Sequence, residues 1–283
     1  MKQNITLCFT VRDCSPFLKK IFDNIQSLRE ETKDTYNLYC IFVYDVNRDD
    51  SEQKIEDYKA LFPNHVYTKK IRNIHRFKTV RIANARNECL RIMNEHIKHV
   101  KYHLMIDADN VCVDNWDTKR IHDYMNGVYG DDWGCMSFNR KRYYDIWALL
   151  YRPYIHHCWG YGSDSRKIVN MMMRDITIRL RECKENQLEV LSAFNGFAIY
   201  RTECFHGLSY DGLYENTKKR ISTEDRLECF RVLKEKHQLD IPIEKSRDKE
   251  GWFNDACCEH IPYHLDAVKR GHKIMISKHS LFI

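Results

Sequence analysis

The chain is short of the residues that loosen or interrupt structure: 10 glycines and 5 prolines among 283 residues. So small a supply excludes a long disordered or low-complexity region. It also has no apolar run approaching the roughly 18 residues that a membrane-spanning helix needs. The opening MKQNITLCFT is too polar and its apolar run too short for a secretion signal. These two absences predict a cytoplasmic protein without a transmembrane segment. Twelve cysteines are present, but none forms a CxxC pair and the only close pair is Cys257-Cys258. The ligand spacing of a structural zinc site is therefore missing, and reduced thiols are expected. There is no long Lys/Arg tract either. The 46 basic and 40 acidic residues are interleaved, with a net charge of +6. That pattern argues against nucleic acid as a partner, while the mild positive bias favours an anionic ligand such as a nucleoside diphosphate.

What is present, 43% hydrophobic and 30% charged residues, suits a globular protein. Residues 4–11 read as a β-strand stopped by Arg12-Asp13. Ser15 as N-cap and Pro16 as first residue predict a helix, with Phe17, Ile21 and Ile25 on its apolar face. Residues 37–44 form a second strand ending in Asp45. A helix over 51–61, a short strand near Val66 and a helix over 79–98 follow. The last has Ile82, Ala85, Cys89, Ile92, Met93 and Ile97 toward the core. Residues 101–106 are a further strand, closed by Asp107-Ala108-Asp109. This rhythm predicts an α/β fold, a Rossmann-like and mainly parallel central sheet flanked by helices. Such sheets bind ligands at the carboxyl ends of their strands, where Asp13, Asp45 and Asp107/Asp109 fall. Further on, 133–138, 194–200 and 273–277 read as strands. The Tyr-, His- and Trp-rich stretch over 151–185 shows no clear period and predicts a long loop. No linker or repeat divides the chain. One domain over 1–283 is expected, with a donor half over 1–115 and an acceptor half over 116–283.

Asp107 and Asp109 are the strongest chemical signal. Positions i and i+2 of an extended segment project to one side, so two carboxylates converge on one point. That geometry suits Mg²⁺ or Mn²⁺ shared with diphosphate oxygens, although an acidic turn would read the same way. Arg81 and Arg86 can pair a phosphate in a bidentate way, or be surface arginines. Asn195-Gly196 reads equally as a turn or as a loop that lets backbone approach a ligand. Ser222-Thr223 followed by Glu224-Asp225 is a helix-capping pattern. Trp147, Trp159 and Tyr161 could face a sugar ring, with core packing favoured for Trp147.

Five pieces, in order and spanning nearly the whole chain, carry a family resemblance. They are Arg81-Ile82-Ala83-Asn84-Ala85-Arg86-Asn87, Tyr144-Asp145-Ile146-Trp147, Phe194-Asn195-Gly196-Phe197, Thr223-Glu224-Asp225 and Glu259-His260. Together they resemble GT-A glycosyltransferases, in particular fungal capsule-associated mannosyltransferases and related proteins of large algal DNA viruses. The resemblance implies a GT-A fold, a metal-bound nucleotide-sugar donor and an oligosaccharide or glycoprotein acceptor. It places Asp13 and Asp45 near the base and ribose, and Asn195 and Gly196 in the sugar pocket. It gives Asp107, Asp109 and His260 as metal ligands, with His264 as the alternative to His260, four residues on. Asp225 then becomes the general base, and Glu224 an acceptor-orienting or capping residue.

A carboxylate at the base position implies inversion of configuration, whereas the capsule mannosyltransferases imply retention; inversion is the expectation carried forward. A UDP-sugar is the favoured donor, with GDP-mannose the other. A sugar-1-phosphate nucleotidyltransferase would need a Gly-rich phosphate loop after the first strand, and Val11-Arg12-Asp13-Cys14-Ser15 contains no glycine. A non-catalytic glycan- or nucleotide-binding protein would be signalled by loss of Asp107/Asp109 or Asp225, all of which are present.

Overall fold

The computed structural model describes residues 2–141, 143–155, 165–239 and 256–283. The first half builds a parallel sheet by repeated crossover. Strands β1 (Gln3–Val11), β2 (Tyr36–Tyr44), β3 (Val66–Lys70) and β4 (Val100–Asp107) alternate with helices α1 (Ser15–Thr32), α2 (Ser51–Leu61) and α3 (Lys78–His96). Helix α4 (Thr118–Met125) leads to β5 (Cys135–Asn139). After α5 (Ser165–Glu182) come β6 (Gln187–Val190) and β7 (Phe197–Arg201), then α6 (Tyr214–Lys218), α7 (Thr223–His237), α8 (His260–Lys269) and β8 (Ile274–Ser280). All eight strands form one sheet in the order β3-β2-β1-β4-β7-β5-β8-β6. Pairing is parallel from β3 to β4 and between β5 and β8. It is antiparallel on both sides of β7 and between β6 and β8. The expected α/β architecture is therefore present, with antiparallel additions in the second half.

The central strands are continuous apolar runs because both sheet faces are covered. Leu7, Phe9, Phe42, Leu104 and Ile106 pack with Leu18, Ile21, Ile55 and Ile121 of α1, α2 and α4 on one face. Cys8, Ile41, Val43 and Met105 pack with Cys89 and Met93 of α3, Met172 of α5, Leu233 of α7 and Ile261 of α8 on the other. The crossover from β1 to β2 leads one way and β4 returns to the opposite side of β1, so the order reverses at the carboxyl ends of β1 and β4. A crevice opens there in sheets of this kind.

Several expectations are corrected. Ser15 is the first residue of α1, not its cap: Cys14 holds the cap position and no side chain caps the helix. The Ser15 hydroxyl instead bonds Asp50 and accepts from Lys54 Nζ. The expected loop over 151–185 contains α5, whose buried Ile168, Met172, Ile176 and Leu180 repeat every four residues. Beyond it lies β6, which is not among the strands expected from the sequence. Trp159 and Tyr161 lie outside the described residues.

The first turn of α3 is anchored by the chain's second half. Thr79 Oγ1 donates to the Gly212 carbonyl at 2.8 Å, and Cys257 N donates to the same oxygen at 3.0 Å. Asn87 and the Tyr210 backbone exchange two hydrogen bonds, of 2.9 and 2.7 Å. A Cβ on Gly212 would lie 2.3 Å from the Thr79 carbonyl carbon and 2.4 Å from Val80 N. Since backbone must move to admit it, Gly212→Ala is expected to lower stability by about 2 kcal/mol in urea denaturation. An unchanged midpoint would contradict this packing.

Candidate functional site

A cavity of about 770 Å³ opens at the carboxyl ends of β1, β2 and β4. The sequence-expected Asp13, Asp45, Arg81, Arg86, Asp107, Asp109 and His260 all line it. So do Lys78, Asn73, Asp145, Trp147 and Glu259, which the strand-end argument did not reach. Asn195, Gly196, Glu224 and Asp225 are not among the lining residues.

Asp13 and Asp45 organise the rim. Asp13 has a positive φ of 54°, and its Oδ1 accepts from Arg48 N at 2.6 Å. Asp45 Oδ1 accepts from Val46 N at 2.8 Å and, across the cavity edge, from Asn73 N at 3.4 Å. Both carboxylates therefore shape the loops after β1 and β2 as well as facing the cavity. Arg81 is tied to the loop preceding its own helix, donating from Nη1 to the carbonyls of His75 and Arg76 at 2.6 and 3.1 Å. Lys78 is the exposed first residue of α3. That first turn carries no acid and no side-chain cap, so the positive end of the helix dipole faces the cavity beside a cation.

Arg86 departs from its expected role as a phosphate clamp. It is only 3% exposed. Its Nη2 donates to Asp107 Oδ1 at 3.1 Å, and Nη1 lies 3.4 Å from Glu259 Oε1. The guanidinium also lies 4.5 Å from the Phe194 ring centre. It is an internal countercharge. Burial opposes its charge, but Glu259 and Asp107 more than compensate and hold it protonated. Burial pushes the Asp107 carboxyl up to about 7; Arg86 opposes the rise, and Asp109, Asp145 and Glu259 add to it. The cavity floor is thus over-supplied with negative charge.

Asn195 and Gly196 act behind the cavity wall. Asn195 Oδ1 accepts from Tyr144 N and Asp145 N, both at 3.3 Å, while Asn195 N donates to Asp145 Oδ2 at 3.1 Å. This reciprocal clamp fixes the segment that presents Tyr144 and Trp147. Asp145 also accepts from Ala148 N at 3.3 Å, and burial raises its carboxyl to about 6. Gly196 has a φ of 87°, and a Cβ there would meet Tyr144 Oη at 2.9 Å and Val111 Cγ2 at 3.1 Å. Its carbonyl accepts from Asp107 N at 2.9 Å. The positive φ and these contacts are by themselves enough to require a glycine. Trp147, expected to pack in the core, is partly buried against it and also lines the cavity.

Glu224 and Asp225 lie in the first turn of α7, with Ser222 Oγ accepting from Asp225 N at 3.0 Å. The Asp225 carboxylate is bound by Arg152, with Nε to Oδ1 at 3.0 Å and Nη2 to Oδ2 at 3.2 Å. The Arg152 hydrogen bond holds its carboxyl below the usual range. Glu224 is exposed.

Among the described residues, no three His, Cys, Asp or Glu side chains converge closely enough to hold a metal by themselves. The expected trio Asp107, Asp109 and His260 lines one cavity without closing on a point. Asp107 is drawn to Arg86, and Asp109 Oδ1 turns back to accept from Val111 N at 3.1 Å. Two carboxylates without a cation repel, which favours these separate partners. The donor set nevertheless fits a hard divalent cation. The hydrogen bonds of Asp107 and Asp109 named above both end on Oδ1, and the buried His260 Nε2 has no hydrogen-bond partner. Such a cation would take its remaining ligands from diphosphate and water. His264, the alternative ligand, has both nitrogens engaged: Nδ1 meets Ser192 Oγ at 2.9 Å and Nε2 meets the Tyr200 hydroxyl at 3.1 Å.

The sequence profile described as Glycosyl transferase family 2 matches residues 7–174. No curated protein matches. Among solved structures, the chain is similar to the mannosyltransferase PcManGT from Pyrobaculum calidifontis in complex with GDP-Man and Mn²⁺. Identity is 15%, with 77% of this chain and 52% of that one covered and a TM-score of 0.47. It is similar to S. aureus TarS 1-349 in complex with UDP-GlcNAc at 12% identity, covering 81% and 52%, with a TM-score of 0.41. It is also similar to glucosyl-3-phosphoglycerate synthase from Mycobacterium tuberculosis at 11% identity, covering 84% and 66%, with a TM-score of 0.38. The chain thus spans about half the length of the first two.

Arg86→Met should cost about 3–5 kcal/mol of stability, because it leaves Asp107 and Glu259 buried without their countercharge. Asp107 then binds its proton still more tightly in the folded than in the unfolded state, so stability falls as pH rises through that range. Urea denaturation should show a larger loss at about pH 8 than at about pH 6. A small loss, equal at both, would refute the countercharge role.

Proposed function

The chain belongs to glycosyl transferase family 2, and on that premise we propose that it moves a hexosyl or pentosyl group from a nucleoside diphosphate sugar to a glycan hydroxyl. The observation that carries this reading is the cavity at the β1/β4 switch point, where paired aspartates face the uncapped, Lys78-bearing start of α3. Asp13 and Asp45 at the rim suit the nucleoside, whose ribose hydroxyls and base N–H groups they can accept from. The diphosphate lies between Lys78 with the α3 amino end and the acidic floor. A UDP-sugar is the preferred donor and GDP-mannose the other, and an oligosaccharide or glycoprotein supplies the acceptor.

Asp107 and Asp109 would hold Mn²⁺ or Mg²⁺ together with the diphosphate, with His260 beside them. That ion supplies charge neutralisation for the departing nucleoside diphosphate. The protein's own share is positioning. Arg86 opposes the protonation of Asp107 that burial favours, and the Asn195–Asp145 clamp holds the wall beside the sugar.

Asp225 is assigned as the base for direct, inverting attack. Asp145, unlike Asp225, lines the cavity, but both its oxygens already accept backbone N–H groups. The Arg152 ion pair keeps Asp225 ionised, and the acceptor hydroxyl would replace Arg152 as its partner. Glu224, exposed on the same turn, is left to orient the acceptor.

Two substitutions test the assignment through nucleoside diphosphate release. Asp109→Ala should abolish transfer while leaving the circular dichroism spectrum and melting temperature near wild type; full activity with a chelator present would eliminate the metal. Asp225→Asn should lower kcat by about 100-fold or more with little change in donor KM. Equal loss in both would make Asp225 a capping residue instead.

A further inference from the structure

His260 ends a chain of buried hydrogen bonds that runs away from the cavity. Ser192 Oγ lies 2.7 Å from the Ala148 carbonyl oxygen and 2.9 Å from His264 Nδ1. His264 Nε2 lies 3.1 Å from the Tyr200 hydroxyl, which lies 3.2 Å from His260 Nδ1. Ser192, Tyr200 and His264 are 0% exposed and His260 is 1% exposed.

The direction of every bond follows from the first. A carbonyl oxygen only accepts, so Ser192 donates its single proton to Ala148. Ser192 can then only accept from His264, whose Nδ1 must carry hydrogen. His264 is fully buried, its two nitrogens meet hydroxyl groups, and no carboxylate pairs with it among the described residues, so it is the neutral imidazole. His264 Nε2 is therefore bare and accepts the Tyr200 proton. Tyr200 has no second proton, so it accepts from His260 Nδ1–H. Cys135 Sγ, 3.8 Å from His264 Nε2, is a weaker donor than the phenol and does not reverse this order. His260 is left with a bare Nε2, buried and without a hydrogen-bond partner, on a residue that lines the cavity. Glu259 Oε1 lies 3.8 Å from that nitrogen. That oxygen is also 3.4 Å from Arg86 Nη1, and a lone pair beside a carboxylate is an arrangement that a further cation stabilises.

We propose that Ser192, His264 and Tyr200 are positioning residues that lock His260 in its Nδ1–H tautomer, so that the Nε2 lone pair faces the donor cavity as a ligand for the divalent cation. The identity of that ligand rests on the transferase reading; the tautomer does not. Neither nitrogen's proton is free to move while the chain is intact, because which nitrogen is bare is set by the bond the other makes.

Long-range ¹H–¹⁵N spectra of the full chain labelled at histidine, without metal, read the tautomer directly; His260→Gln identifies the His260 signals by their loss. The wild type should show His260 and His264 both protonated at Nδ1 and bare at Nε2. Tyr200→Phe should release His260 toward the Nε2–H form and weaken Mn²⁺ binding in the presence of UDP or GDP by about 10-fold or more. Ser192→Ala, the milder change, should act in the same direction with smaller size, and keeps the test alive if Tyr200→Phe does not fold. Nε2–H on His260 in the wild type would overturn the proposal, as would unchanged tautomer and unchanged Mn²⁺ affinity in both variants. The predicted tautomers in a protein without transferase activity would uphold the hydrogen-bond chain and count against the transferase reading alone.

Discussion

One buried cation holds the cavity together. Arg86 comes from α3, Asp107 from the end of β4, Glu259 from the start of α8, and Phe194 from the segment before β7. These pieces are up to 173 residues apart in sequence, from Arg86 to Glu259. A guanidinium so deeply buried is tolerated only where carboxylates compensate it, and carboxylates so close together only where a cation separates them. Each side makes the other possible. The balance is incomplete, since Asp107 still has its carboxyl raised to about 7 by burial and its acidic neighbours. An arrangement that folds with surplus negative charge is already prepared for a further cation.

The helices and strands around this point are arranged to deliver it. Parallel crossover places the amino end of α3 and the carboxyl ends of β1, β2 and β4 on one side of the sheet. Antiparallel β7 then carries Gly196 against Asp107, and the 210–213 segment ties α3 to the 256–260 stretch through the Gly212 carbonyl. The site is therefore shared between the sequence halves rather than confined to the first.

Much of this was legible in the sequence. The first four strands and the three helices between them fell where periodicity put them, because both-face burial and amphipathic spacing are local signals. Asp13, Asp45, Asp107 and Asp109 could be placed from strand ends alone. What could not be read were partners. Nothing local to Arg86 says that its charge is used internally, and nothing local to Asn195 says that it clamps Asp145. Glu259 looked like a companion of His260 and proved to be the second counterion of Arg86. Nor could the choice between His260 and His264 be made without seeing that Ser192 and Tyr200 occupy both nitrogens of His264. Helix α5 is a different case: its four-residue repeat is present in the sequence, but the aperiodic aromatic stretch before it obscures the start.

The central claim is that this cavity binds a nucleoside diphosphate through a divalent cation. It is tested most directly by the melting temperature of the purified chain with UDP or GDP, each with and without Mn²⁺, since a ligand selective for the native state raises it. A rise is expected with one nucleotide, and only when Mn²⁺ is present. No rise with either nucleotide, or a rise indifferent to Mn²⁺, would contradict it.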